Sequence, residues 1–170
     1  VGEKDTMYGR YDRDKKVRDT VEKLRGERTD IYPVAVQIIA GNGHGGLPDR
    51  DKIADMYPAV RHPVPRELTW LMTDKVIRDF FWLRSDAPGK QREIGVVCRD
   101  NRVIVTTTTN VTSASVLLDR RLVDFDKPVA LELNGQLVKP RKLQPSLRVL
   151  GETLLRRGDP ELAFTAQFDL

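Results

Sequence analysis

The chain has 170 residues, 39% hydrophobic and 32% charged, with 29 basic and 25 acidic side chains for a net charge of +4. That composition can fill a core and excludes wholesale disorder, and no stretch nears the roughly 18 uninterrupted apolar residues of a membrane span. The positive excess is weak for a nucleic-acid binder, and the single cysteine, Cys98, excludes an internal disulfide and a cysteine-built zinc cage.

The first residues, Val1-Gly2-Glu3-Lys4-Asp5, read as the end of a strand entering a loop, as if in mid-protein. Residues 12–26 carry helical spacing, with Val17, Val21 and Leu24 on one face and charged residues on the others. Gly26 suits the helix stop. The β-branched run from Tyr32 to Ala40 predicts a strand covered on both faces, closed by Gly41-Asn42-Gly43-His44-Gly45-Gly46. Strand, helix, strand is the order of a βαβ unit. Asp49 to Tyr57 predicts a short helix with Ile53 and Met56 turned inward.

Beyond the prolines at 58, 63 and 65 the pattern becomes β-rich. Residues 68–73 and 79–83 read as strands, although Val76, Phe80 and Leu83 would also suit a helix; aromatic density and flanking prolines favour strands. Runs at 94–98, 102–108, 115–118 and 129–133 are further strands. Asp100-Asn101 links one pair, and Asn134-Gly135 is a two-residue hairpin turn needing positive φ at both positions. Ser146 to Arg157 predicts a helix presenting Leu147, Leu150 and Leu154, with Gly158 as its cap. Leu162, Phe164, Ala166 and Phe168 alternate as a last strand with one buried side. Cys98 lies in the apolar run Val96-Val97-Cys98 and reads as a buried, inert thiol.

Two residues could carry chemistry. His44 follows the apolar run inside a glycine-rich loop, at the strand end where α/β sheets build their sites. Asp5 follows the preceding strand end. An aspartate can fix a histidine's tautomer and stabilise its protonated form, so the two form a candidate pair. Asp49, Asp51 and His62 stand near His44 in sequence, but their spacing matches no metal cage, and Asp49-Arg50-Asp51 reads as helix capping. The basic stretch 139–157 (Lys139, Arg141, Lys142, Arg148, Arg156 and Arg157 against Glu152) lacks interleaved aromatics and reads as a solvated face.

The order Gly2-Glu3-Lys4-Asp5, then Gly43-His44-Gly45, resembles the acid and histidine loops that end an α/β-hydrolase domain of the serine esterase and peptidase type. Residues 66–170 resemble the β-rich C-terminal region that follows such a domain in bacterial, planctomycete-like hydrolases. The matching pieces are Trp70, residues 79–83, Asn110-Val111-Thr112, Leu122-Val123-Asp124, Pro128-Val129, Asn134-Gly135 and residues 157–160. The resemblance implies an α+β chain. Residues 1–65 would be the terminal βαβ segment of a hydrolase sheet, and 66–170 a β-sandwich-like module with one packed helix.

It also implies that Asp5 orients His44 as general base. There is no Gly-x-Ser-x-Gly, and Ser85, Ser113, Ser115 and Ser146 lack the flanking glycines. A lipase-type oxyanion loop at His44-Gly45-Gly46 would require that motif downstream, so that reading fails. The expected function is a hydrolase segment holding two of three triad members, inactive alone. Its partner would be an upstream part of the same domain, or a second copy met through residues 1–47 around Val34, Val36 and Ile38. No cofactor, metal, nucleic acid or membrane is expected. The rival reading is a non-catalytic module binding carbohydrate or protein through an aromatic face formed by Trp70, Phe80, Phe81 and Trp82.

Overall fold

The computed structural model describes residues 1–26 and 34–170. The chain is mixed α+β and rich in β structure, with two sheets and few helices. It divides into two units, Val1–Val60 and Arg61–Leu170. No helix among the described residues is long and apolar enough to cross a membrane.

In the first unit, Val1-Gly2-Glu3 lies beside residues 37–39 in the parallel sense, joined by one bridge from Gly2 to Ile39. The amides of Glu3 and Ile39 donate to Ile39 O and Val1 O, each at 2.9 Å. Helix α1, Arg10–Arg25, connects the two segments and ends at Gly26. The expected strand over 32–40 does not form as such. Tyr32 and Pro33 lie outside the described residues, and within the described part of the run Ile39 alone is bridged, to Gly2. Nor is the run covered on both faces: Val34 is exposed, and Val36 and Ile38 are half-buried. Helix α1 buries no residue, so Val17 and Leu24 are exposed. Helix α2, Lys52–Met56, is shorter than expected, and Ile53 and Met56 face solvent rather than inward. Asp51 precedes it without a capping hydrogen bond from its side chain.

The second unit holds β1 (Glu67–Met72), β2 (Asp79–Phe80), β3 (Leu83–Arg84), β4 (Arg92–Arg99), β5 (Arg102–Thr109), β6 (Ser115–Leu118), β7 (Val129–Leu133), β8 (Gln136–Arg141) and β9 (Ala166–Asp169). One sheet runs β1-β4-β5-β7-β8 and the other β2-β3-β6-β9. Every pair is antiparallel except β5 with β7. Two of the three tight hairpins carry two left-handed residues, Asp100 and Asn101 at φ 50° and 57°, and Asn134 and Gly135 at φ 53° and 73°; the third, Phe81-Trp82 between β2 and β3, has one, Phe81 at φ 50°. Such turns match the twist of the strands they join. β1 alternates, burying Leu68, Trp70 and Met72.

Side chains of both sheets meet in one hydrophobic cluster, with Trp82, Ile94, Val96, Val103, Val116 and Phe164 wholly buried. The Trp82 indole donates to Pro65 O at 2.6 Å, and Val64 is buried, so residues 61–65 belong to this unit. Residues 79–84 form short strands rather than a helix. Helix α3, Leu147–Arg157, has Ser146 accepting from the Val149 amide and Gly158 in the left-handed region. Its inward face is not the predicted leucine line. Val149 and Thr153 are buried, whereas Leu147 and Leu154 are exposed. A polar contact decides this rotation: the Thr153 hydroxyl accepts from Phe164 N at 3.0 Å, and its oxygen lies 3.2 Å from Phe164 O.

Three of the six basic side chains in 139–157 are engaged within the unit. Arg148 pairs with Glu152 at 2.9 Å, and Arg141 lies over the Phe168 ring. Arg157 is buried against Asp79 at 3.3 Å.

Candidate functional site

Because the segments ending at Glu3 and Ile39 run parallel, the loops that leave them emerge side by side. Lys4 N donates to Asn42 O at 2.8 Å, and the Glu3 carboxylate accepts from Gly41 N at 2.8 Å. These bonds set residues 40–44 directly against residues 4–6. Gly41 and Gly46 take φ values of 73° and 72°, which the glycine-rich loop needs for its bends.

Asp5 and His44, 39 positions apart, meet here: Asp5 Oδ2 lies 3.1 Å from His44 Nδ1. Asp5 is only 3% exposed, and its other oxygen accepts from the Met7 amide at 3.1 Å. The His44 hydrogen bond chiefly holds the Asp5 carboxyl below its ordinary value, aided by the Met7 amide and opposed by burial. An ionised Asp5 can only accept, so its contact requires a proton on Nδ1. In the neutral ring that leaves Nε2 with the free lone pair, the arrangement of a general base. The His44 side chain is 53% exposed, open for a reacting group to approach.

Sequence reasoning missed Arg10. Its Nη1 lies 2.7 Å from His44 Nδ1 and 3.2 Å from Nε2. A single nitrogen so close to both ring nitrogens lies over the imidazole ring and not along the in-plane lone pair of either. Arg10 is placed by a tight turn in which Tyr8 and Gly9 take φ values of 54° and 65°, and its guanidinium lies 5.8 Å from the Tyr8 ring centroid. No spacing rule could find it, because the contact spans 34 positions; a lone arginine at a helix start carries no periodic signal.

The remaining candidates fall elsewhere. Among the described residues no three His, Cys, Asp or Glu side chains gather as a metal site would require. Ser85 donates to Ser113 O and Ser115 to Asp169, both within the second unit. Cys98 is fully buried, and desolvation pushes its thiol up to about 11. Comparison with protein families, curated proteins and solved structures finds no match for this chain.

Proposed function

We propose that residues 1–47 are the closing βαβ segment of a serine hydrolase sheet, and that Asp5 and His44 are the acid and base of a Ser-Asp-His triad. The observation that carries this is the 3.1 Å contact between Asp5 Oδ2 and His44 Nδ1, made by two loops at the same ends of adjacent parallel segments. The serine comes from an upstream part of the same domain. His44 Nε2 takes the serine proton as Oγ attacks the acyl carbon, then gives it to the leaving oxygen or nitrogen. Water reverses these steps on the acyl-enzyme. Asp5 keeps the ring's tautomer and stabilises the imidazolium. In this reading the second unit is a β-sandwich-like accessory module.

The uncovered side of the first unit supports the same assignment. Val17, Leu24 and Val34 are exposed, as expected where neighbouring sheet strands or a second copy would pack. The rival carbohydrate-binding face draws less support. Trp70 and Trp82 are buried, and Phe80 and Phe81 are half-buried against that core, so these aromatics do not form an open platform.

The test joins this chain to the coding sequence that precedes Val1 and treats the product with a fluorophosphonate. Labelling of a serine within Gly-x-Ser-x-Gly, lost in His44→Ala, is the expected result. Absence of that motif, or labelling indifferent to His44, overturns the proposal.

A further inference from the structure

We infer that Asn42-Gly43 is a self-modification site: the Asn42 side chain closes on the Gly43 nitrogen, and the isoaspartate that results separates Asp5 from His44. The reaction needs only water. The Gly43 backbone nitrogen loses its proton and bonds to Asn42 Cγ, and Nδ2 leaves with a proton as ammonia. Water then opens the cyclic imide at one of its two carbonyls. Breaking the new bond to Cγ yields aspartate. Breaking the bond to the main-chain carbonyl carbon yields isoaspartate, whose backbone runs through Cβ and Cγ. A glycine in the second position favours closure, because no Cβ hinders the attacking nitrogen.

The loop leaves this step open to the reaction. Gly43 N donates to no acceptor among the described residues, and a Cβ built at Gly43 would meet nothing within 4 Å. Asn42 is held by its Nδ2 donating to Gly46 O at 3.0 Å and by its main-chain oxygen accepting from Lys4 N at 2.8 Å. Closure turns Asn42 about its Cα–C bond and releases the Lys4 bond. Gly2 and Asp5 are the only buried residues among those described in Val1–Val60, so local opening there is inexpensive. The second Asn-Gly step, Asn134-Gly135, is set between paired strands, with Leu133 opposite Gln136, and turning it would open the β7–β8 hairpin.

The product matters because of what Asn42 holds. In isoaspartate the carbonyl that accepts from Lys4 N becomes a carboxylate off the main chain, and the backbone between positions 42 and 43 is longer. Gly2 backs closely onto the Asn42 and Gly43 oxygens, so the loop has no slack to take up that length. Residues 40–44 then part from residues 4–6, and His44 Nδ1 loses Asp5 Oδ2. The aspartate product keeps the main chain, and with it the pair.

The folded 170-residue chain is aged at mildly alkaline pH beside the same chain in urea, and position 42 is followed by peptide mapping that separates aspartate from isoaspartate. Isoaspartate should accumulate at position 42 in the folded chain. Gly43→Ala, whose added methyl group has open space around it, should keep the fold, as amide spectra check, and slow conversion severalfold. Long-range proton–nitrogen spectra of the aged chain should show a second set of His44 signals without the Asp5-directed tautomer, growing in step with isoaspartate. Asn42→Asp, which carries the charge without the longer backbone, should show the first set alone. An Asn42 still intact when the chain in urea has converted, aspartate without isoaspartate, or equal rates in Gly43→Ala each overturns the modification site. His44 signals unchanged in the isoaspartate chain overturn its effect on the pair. None of these readings uses a nucleophile, so they and the fluorophosphonate result stand or fall separately.

Discussion

A methyl group added at Gly2 would stand 2.1 Å from the carbonyl oxygen of Gly43 and 2.4 Å from that of Asn42. These backbone atoms belong to the loop that carries His44, so the absence of a side chain at Gly2 sets how closely the two loops approach. Gly2→Ala should push residues 42–44 outward and break the Asp5–His44 contact, at about 1–3 kcal/mol of overpacking cost to the first unit. Loss of the Asp5-directed tautomer bias of the His44 ring nitrogens, in a chain whose second unit keeps its spectrum, checks this.

Asp5 should hold its charge to below the ordinary 3.8, because the charged form is the one His44 and the Met7 amide favour. A depressed folded value means the carboxylate's contribution to stability is present above 3.8 and is lost as pH falls through the folded value. A carbon-13 titration of the Asp5 carboxyl should give a midpoint under 3.8. Asp5→Asn should lose this acid-side dependence and the His44 tautomer bias together. A midpoint at or above 3.8 would mean that the buried carboxylate is not stabilised by its neighbours.

The chain by itself should not hydrolyse a small aryl ester above background, because an activated serine is missing. Turnover abolished by His44→Ala would reveal a nucleophile among these 170 residues. The measurement is a release assay on the wild type beside that variant.

Cys98 should resist thiol reagents at pH 8 in the folded protein. Its thiol is buried, donates to Leu122 O at 3.4 Å, and is raised to about 11, so little thiolate exists to react. Reaction with a disulfide reagent should follow unfolding of the second unit with denaturant, not precede it.

Residues 61–170 should fold alone, since the cluster from Val64 to Leu170 lies wholly within them. Within that fragment Trp82→Ala should cost about 3–5 kcal/mol, as for other large aromatic truncations in a core. Thr153→Val should cost about 1–3 kcal/mol by stranding the Phe164 amide. Urea denaturation of the fragment beside the full chain measures both.

Local rules were enough where the determinants lie within a few residues. Asn134-Gly135 specifies its hairpin because both positions tolerate positive φ, and Ser146 with Gly158 bounds α3 through groups at the helix's own ends. The alternation of Leu68, Trp70 and Met72 likewise makes β1 readable. The contact between Asp5 and His44 was legible as well, since each residue follows the end of one of two segments that pair. Other features were settled only by tertiary structure. Which face of α3 turns inward depended on a hydroxyl meeting the Phe164 backbone 11 positions away, not on the number of leucines. That the described part of the Val34–Ala40 run is bridged at Ile39 alone, to Gly2, was likewise decided by pairing and not by its β-branched composition. Arg10 reaches His44 only because a left-handed turn and a parallel bridge bring distant loops together, and contacts between side chains 34 positions apart leave no period in a sequence.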